Sequence, residues 1–249
     1  MFTDPEWTGN NPPPYQNRQE WNSWDIPKQK AGKYQIYYKY ALPASFITYG
    51  ILSKNFHPLK QVDRSIHSQV DDHVRNKFPI DDYLQFAPAV GVYGVSLLLP
   101  FKAKHSYRDR TFVMVTSHLI MGGTVQLMKK NIHTTRPDGV GTNSFPSGHT
   151  ATAFTGAHIL FREYRDESLW IGATGYAAAA TTGLLRILND RHWFSDVMAG
   201  AGIGILSVEI SYLLLPVFRN LVGIKDNRNL MFAPVVQNGG LGMGMAYTF

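Results

Sequence analysis

Four stretches of this chain are uncharged, or nearly so, over the length of a membrane-spanning helix: residues 83–101, 111–128, 168–185 and 197–218, the last interrupted only by Glu209. Each approaches the roughly 20 apolar residues that cross a bilayer as a helix. The third is packed with small residues, Gly172, Ala173, Thr174 and Gly175 and then 177–183, and Gly200 and Gly204 stand four apart in the last. Such faces let helices approach closely. A soluble bundle whose buried helices are apolar all round satisfies the same pattern. The mean hydropathy of −0.17 and the weak insertion of Ala, Gly and Thr speak for that alternative. The runs therefore predict an all-α chain, read as membrane-embedded, with a soluble bundle as the alternative.

Three short blocks between and within these runs carry the chemistry. They are Lys129 with Arg136-Pro137, then Pro146-Ser147-Gly148-His149, then Arg186 followed by His192 and Asp196. A phosphoryl group in transfer spreads charge over its outer oxygens, and fixed donors in a site that excludes water must match it. Lys129, Arg136 and Arg186 are the candidates. Arginine grips two oxygens with a planar fork, whereas lysine acts as a point charge. Ser147 and Gly148 precede an apolar stretch with helical spacing, which puts backbone N–H groups at a helix N-terminus and predicts further phosphate donors. His192 and Asp196 are four apart, so one helical turn would let the carboxylate hold one ring nitrogen while the other attacks phosphorus. His149 is then left to protonate the leaving oxygen and to activate water in the second half-reaction.

These blocks resemble the type 2 phosphatidic acid phosphatase family, whose core is shared with bacterial non-specific acid phosphatases and vanadium haloperoxidases. The family pattern is lysine, six residues, Arg-Pro; then Pro-Ser-Gly-His; then Ser-Arg, five residues, histidine, three residues, aspartate. Every spacing is matched here, and the one departure is Leu185 in place of the serine before Arg186. The resemblance implies a six-helix bundle and a phosphatase acting through a phosphohistidine with no metal and no cofactor. His192, His149 and Asp196 would be catalytic, and Lys129, Arg136, Ser147, Gly148 and Arg186 would bind the phosphate. Its substrate would be a phosphorylated lipid of the phosphatidate, polyprenyl diphosphate or lipid A class. A soluble periplasmic acid phosphatase, a vanadate-dependent haloperoxidase and a phosphate-binding protein without catalysis are the alternatives. The last is disfavoured, since nucleophile, acid and orienting carboxylate are all present.

Neighbouring residues have plainer readings. His133 is taken as a bystander, Asp190 and Arg191 as solvated neighbours of the site, and His118 and His158 as packed, hydrogen-bonded histidines. Residues 102–110 and 138–144 flank the pocket and are expected to set specificity. Val62, Ile66, Val70, Val74 and Phe78 recur every four residues and predict an amphipathic helix over 59–78. Asn238-Gly239 followed by alternating Leu241, Met243, Met245, Tyr247 and Phe249 predicts a β-hairpin from about Leu230.

The expected organisation is a polar, Pro- and Trp-rich segment over 1–40, a phosphatase domain over 41–220 and a tail over 221–249. The first segment holds Pro12, Pro13, Pro14, Trp7, Trp21 and Trp24, and it lacks the basic start and apolar core of a signal peptide. Lysines at 28, 30, 33 and 39 interleave with Tyr34, Tyr37, Tyr38 and Tyr40, a mixture that suits a lipid headgroup layer as well as an exposed loop. A formal charge of +6 favours anionic partners. The basic residues form no nucleic-acid motif with stacking aromatics, so a nucleic-acid partner is not expected. The absence of cysteine removes disulfides and zinc–thiolate sites. The expected location is a membrane, with the active site facing the periplasm or the outside, and the alternative is a soluble periplasmic protein. No oligomeric state follows from the sequence.

Overall fold

The computed structural model of the chain describes residues 34–73, 79–222, 230–237 and 240–247, with side chains described over 39–70 and 79–222. The Pro- and Trp-rich segment before residue 34, Val74 and Phe78, and the Asn238-Gly239 pair lie outside the described residues. Eight helices are described: α1 (Tyr34–Leu52), α2 (His57–His73), α3 (Asp81–Leu84), α4 (Ala87–Leu98), α5 (Tyr107–Asn131), α6 (Gly148–Tyr164), α7 (Leu169–Leu188) and α8 (Phe194–Leu221). Two strands, β1 (Leu230–Gln237) and β2 (Gly240–Tyr247), pair antiparallel with Gln237 opposite Gly240. Residues Tyr37–Phe249 form one unit, and α1 runs without a break across the boundary at residue 40 that composition suggests.

Where the helices begin follows from local chemistry. Ser106 caps α5 by accepting the Asp109 N–H, and Lys129 and Lys130 close it with positive charge at the C-terminal end. The apolar run 83–101 does not form one span. It divides into α3, which ends at Leu84, and α4, which starts at Ala87 with Pro88 in its first turn, the place proline favours, and lasts 12 residues. Among the described residues two helices, α5 and α8, are long and apolar enough to cross a membrane. α7 has the length but draws its run from Gly, Ala and Thr.

α6 is the central helix and touches α4, α5, α7 and α8. Around its C-terminal half, Ile159, Leu160 and Tyr164 pack with Val92, Val113, Val208 and Leu215; nearer its start, Ala151 packs with Met121, Val125 and Ile203. Gly200 and Gly204 bring α8 into backbone contact with α6. A Cβ at Gly200 would lie 2.5 Å from Ser147 O, and one at Gly204 would lie 2.5 Å from Ala151 O. The small-residue spacing thus holds the Pro-Ser-Gly-His turn against the start of α8.

α2 buries part of its apolar stripe. Val62 is 40% exposed, while Asp63, one position on, is buried together with partly buried Ile66, His67 and Val70. The buried face thus keeps Ile66 and Val70 of the apolar stripe and is centred on Asp63, whose polar contact is described below, with Val62 left at its edge.

A second polar cluster lies toward the other end of α6. Glu209 on α8 accepts from Arg162 Nη1 through both oxygens at 2.6 Å, and His158 Nε2 stands 2.8 Å from Glu209 Oε1. His158 also bonds Tyr176, so it is a packed, partnered histidine, as is His118, which bonds Met114 O. Removing one member of a buried ion pair leaves the other uncompensated and costs about 3–5 kcal/mol. Glu209→Leu should therefore lower the thermal midpoint of the purified protein strongly, whereas an exposed change such as Leu119→Ala should not; equal midpoints would show that the cluster contributes nothing.

Candidate active site

The three sequence blocks converge at the N-terminal ends of α6 and α8, where α5 and α7 end. His192 is 3% exposed and sits in the turn between α7 and α8. Sharing a face of one helical turn was the expected basis for its pairing with Asp196, and the structure corrects this. α8 begins only at Phe194, with Trp193 as its N-cap, and Asp196 is the third helical residue, accepting the Trp193 N–H at 3.0 Å. An acidic side chain at that position naturally returns to the N-cap amide. The capping turn, not helical spacing, then brings His192 Nδ1 to 3.6 Å from Asp196 Oδ2. Ser144 Oγ donates to Asp196 Oδ2 and lies 3.5 Å from His192 Nδ1. Ser144 was expected at a specificity-setting rim; it is instead fully buried beneath the nucleophile candidate.

Burial, first of all, holds the His192 imidazole down to about 4; Asp196 opposes this, and the cations Arg186 and Lys129 add to it. The ring is accordingly neutral over ordinary pH. With Nδ1 turned to the carboxylate, Nε2 is the nitrogen left for attack.

Two of the cations, Lys129 and Arg186, act on this ring, and the third, Arg136, acts on Lys129. Lys129, in the last turn of α5, donates Nζ to Asn143 O. Arg136 is half-buried in the following loop, where its N–H donates to Gly141 O. Arg186, at the end of α7, donates Nη1 to Asp81 Oδ2 at 2.6 Å. Lys129 feels both arginines, and His192 feels Lys129 and Arg186. Arg136 Nε and Arg186 Nε are buried without a partner among the described residues. A buried donor left unpaired is costly; one is on Arg186, which acts on His192, and the other on Arg136, which acts on Lys129, and guanidinium donors of this kind suit an oxyanion.

At the Pro-Ser-Gly-His turn the donors differ from expectation. Ser147 is committed elsewhere: its N–H donates to Asp196 O, and its Oγ accepts from Thr150 N and bonds Thr150 Oγ1. It caps α6 and ties that helix to α8. The amides of Gly148 and His149, in the first helical turn, take no partner among the described residues and are the donors this turn can offer.

His149 Nε2 lies 2.9 Å from Asp82 Oδ1. Burial and then Arg186 hold this ring below its ordinary value, and Asp82 pulls in the other direction. Asp81 and Asp82 on α3 were not singled out in the sequence. Asp81 is buried and takes Arg186 Nη1 and Asn189 Nδ2, while Asp82 is 56% exposed and lies 3.5 Å from Arg186 Nη1. Nothing in an isolated Asp-Asp pair more than a hundred residues before Arg186 marks it as part of a phosphate site. Of the expected bystanders, His133 is exposed and Arg191 pairs at 3.7 Å with Asp138. Asp190 is not solvated as expected; it is partly buried at φ 57°, 3.4 Å from His67 Nδ1.

Comparison with known proteins places these features in context. The PAP2 superfamily pattern matches residues 116–219. A lipid A 1-phosphatase of Porphyromonas gingivalis is 38% identical over 171 residues, which is 62% of this chain and 37% of that protein. The chain thus spans little more than a third of the length of this curated relative. Among solved structures, Aquifex aeolicus LpxE is 22% identical with a TM-score of 0.44, covering 61% of this chain and 93% of that one. A transmembrane PAP2-type phosphatidylglycerolphosphate phosphatase from Bacillus subtilis is 19% identical with a TM-score of 0.44, covering 77% and 100%. Scores this low leave the fold to be argued from the elements above. The segment matching the PAP2 superfamily, residues 116–219, contains all three blocks.

Proposed function

We propose that this chain is a membrane-embedded phosphatase that hydrolyses a lipid phosphomonoester or diphosphate through a phosphohistidine on His192, its catalytic unit being residues 41–220. The observation that carries the reading is the neutral, buried His192 backed by Asp196 and facing Lys129 and Arg186, whose Nε is buried without a partner among the described residues. In the first half-reaction His192 Nε2 forms a bond to phosphorus as the ester P–O bond breaks, and His149 gives its proton to the leaving oxygen. In the second, His149 takes a proton from water, whose oxygen bonds phosphorus as the N–P bond breaks, releasing inorganic phosphate. Lys129, Arg136, Arg186 and the Gly148 and His149 amides would hold the three outer oxygens throughout.

The membrane part of the reading rests on α5. Its apolar window is only 22% buried, and Val115, Leu119 and Leu127 stand more than half exposed. A core helix of a soluble bundle would be mostly buried, so this exposed apolar surface suits lipid. The relative's name, lipid A 1-phosphatase, puts the lipid A class beside phosphatidate and polyprenyl diphosphates as substrates to try, with the pocket facing the periplasm or the outside. Low mean hydropathy favours a second reading, a soluble acid phosphatase of broad substrate choice.

The test measures phosphate release from a lipid A 1-phosphate, phosphatidate and p-nitrophenyl phosphate side by side, with membranes washed in high salt beforehand. The expected result is retention in the washed membrane and clear preference for a lipid. Release by salt with equal or better turnover of the soluble ester would favour the second reading.

A further inference from the structure

The carboxylate that orients His192 is itself held from outside the segment matching the superfamily. α1 ends at Leu52, and two residues later Lys54 reaches across to the start of α8. Its Nζ donates to Asp196 Oδ1 at 2.6 Å and to Ser195 Oγ at 2.9 Å, and lies 4.7 Å from the centre of the Phe145 ring. From α2, Asp63 accepts the Ser195 N–H at 2.9 Å and the Ser195 hydroxyl at 2.6 Å. The first turn of α8 is therefore clamped by an ammonium and a carboxylate belonging to α1 and α2, more than a hundred residues earlier.

The clamp is set by close backbone packing. A Cβ added at Gly50 would fall 2.6 Å from Ala199 Cβ and 2.8 Å from Ser195 O, and one at Gly202 would fall 2.4 Å from Pro43 O. α1 thus lies against α8 at both points with no room for a side chain, which fixes where Lys54 emerges. The Lys54 side chain is 13% exposed, and that of Asp196 is wholly buried. Holding a long side chain at this depth costs rotamer freedom and hydration, and a buried charge persists there only when paired.

We propose that Lys54 is a positioning residue for phosphoryl transfer: its ammonium fixes the Asp196 carboxylate beneath His192 and offsets the charge that carboxylate presents to the ring. This rests on the reading of His192 as the nucleophile. Asp196 has two oxygens with separate duties. Oδ2 takes Trp193 N–H and Ser144 and faces His192, while Oδ1 is held by Lys54. Without the ammonium, Oδ1 would be left unpaired, the carboxylate would be free to rotate away from Nδ1, and its full charge would act on the imidazole. An uncompensated anion beside a histidine favours the protonated ring, and a protonated ring cannot attack phosphorus. The other charged groups facing this pair are Asp63 from α2, Lys129 from α5 and Arg186 from α7, with Arg136 beside Lys129, and all remain when Lys54 is removed.

Lys54→Met in the full chain tests this, with kcat, KM and the pH dependence of kcat/KM measured on one soluble phosphate ester. A fall in kcat of about 10–100-fold is expected, the size that outer partners of a ligand carry at metal sites, with KM within about twofold. The acid limb of the kcat/KM profile should move to higher pH, and Lys54→Arg should restore both readouts in large part. Should Lys54→Met fail to fold, Lys54→Gln, which keeps most of the stem and a donor without the charge, carries the same measurements. An unmoved acid limb, or losses in KM as large as in kcat, would make Lys54 a strut between helices and overturn the proposal. His192→Ala measured alongside separates the two failures: if that variant still turns over, the nucleophile reading has failed. If it is dead while the Lys54 variants keep the wild-type profile, only the role of Lys54 has.

Discussion

His192→Ala should release no measurable phosphate and form no phosphorylated protein. Removing the nucleophile of a covalent hydrolase costs roughly 10⁶-fold in another well-dissected enzyme, and nothing in this pocket can substitute. His149, the other histidine at the site, has Nε2 bonded to Asp82 and stands at the start of α6, whereas His192 is the ring backed by Asp196 and faced by Lys129 and Arg186. The wild-type protein supplies the matching pH signature. Burial lowers His192 to about 4, so the attacking neutral ring is present above that value and is lost as pH falls through it. Because His149 is also held below its ordinary value, its protonated form is lost as pH rises through a lowered pKa. The two requirements overlap on the acid side of neutrality, and kcat/KM should peak there. Acid quenching during turnover, followed by a search for acid-labile phosphate on the protein, checks the intermediate directly. Turnover by His192→Ala within about tenfold of wild type would overturn the mechanism.

The parts of this site that the sequence exposes are those whose chemistry is local. Lys129, Arg136, His149, Arg186, His192 and Asp196 fall into short blocks beside helix ends, where capping and glycine signals are also short-range. What stays hidden comes from far along the chain. Lys54, Asp63, Asp81 and Asp82 sit in ordinary charged surroundings, and only tertiary packing makes Asp63 and Asp81 buried partners of Ser195 and Arg186. The same cause leaves one stripe residue of α2 outside: Ile66 and Val70 are partly buried as apolar spacing predicts, but the face is centred on Asp63, hydrogen-bonded to Ser195, and Val62 is exposed. Composition likewise overstates the number of long apolar helices. It counts the run 83–101 as one, whereas the backbone turns between Leu84 and Ala87 and restarts as α4 with Pro88 in its first turn. Ser147 shows the limit of motif reasoning at single residues, since the motif points to a phosphate donor and the local geometry gives its groups to Asp196 and Thr150.

His149→Ala should divide substrates by their leaving group. A lipid phosphate departs as an alkoxide or a sugar oxyanion, which needs a proton as the bond breaks, and losing a general acid there costs typically 10²–10⁴-fold. p-Nitrophenolate leaves without protonation, so the first half-reaction on p-nitrophenyl phosphate should survive the substitution. The second half-reaction should not, because the same imidazole must then take a proton from water. The variant is expected to release a burst of about one p-nitrophenolate per site and then stall, with phosphate retained on His192. Asp82 favours the protonated His149 that the first step uses, so Asp82→Asn should weaken turnover of the lipid more than that of the aryl ester. Equal losses on both substrates with no burst would mean that His149 only shapes the pocket. A lasting burst would show one imidazole serving both half-reactions, which its position next to Gly148 at the start of α6, within reach of Arg186, allows.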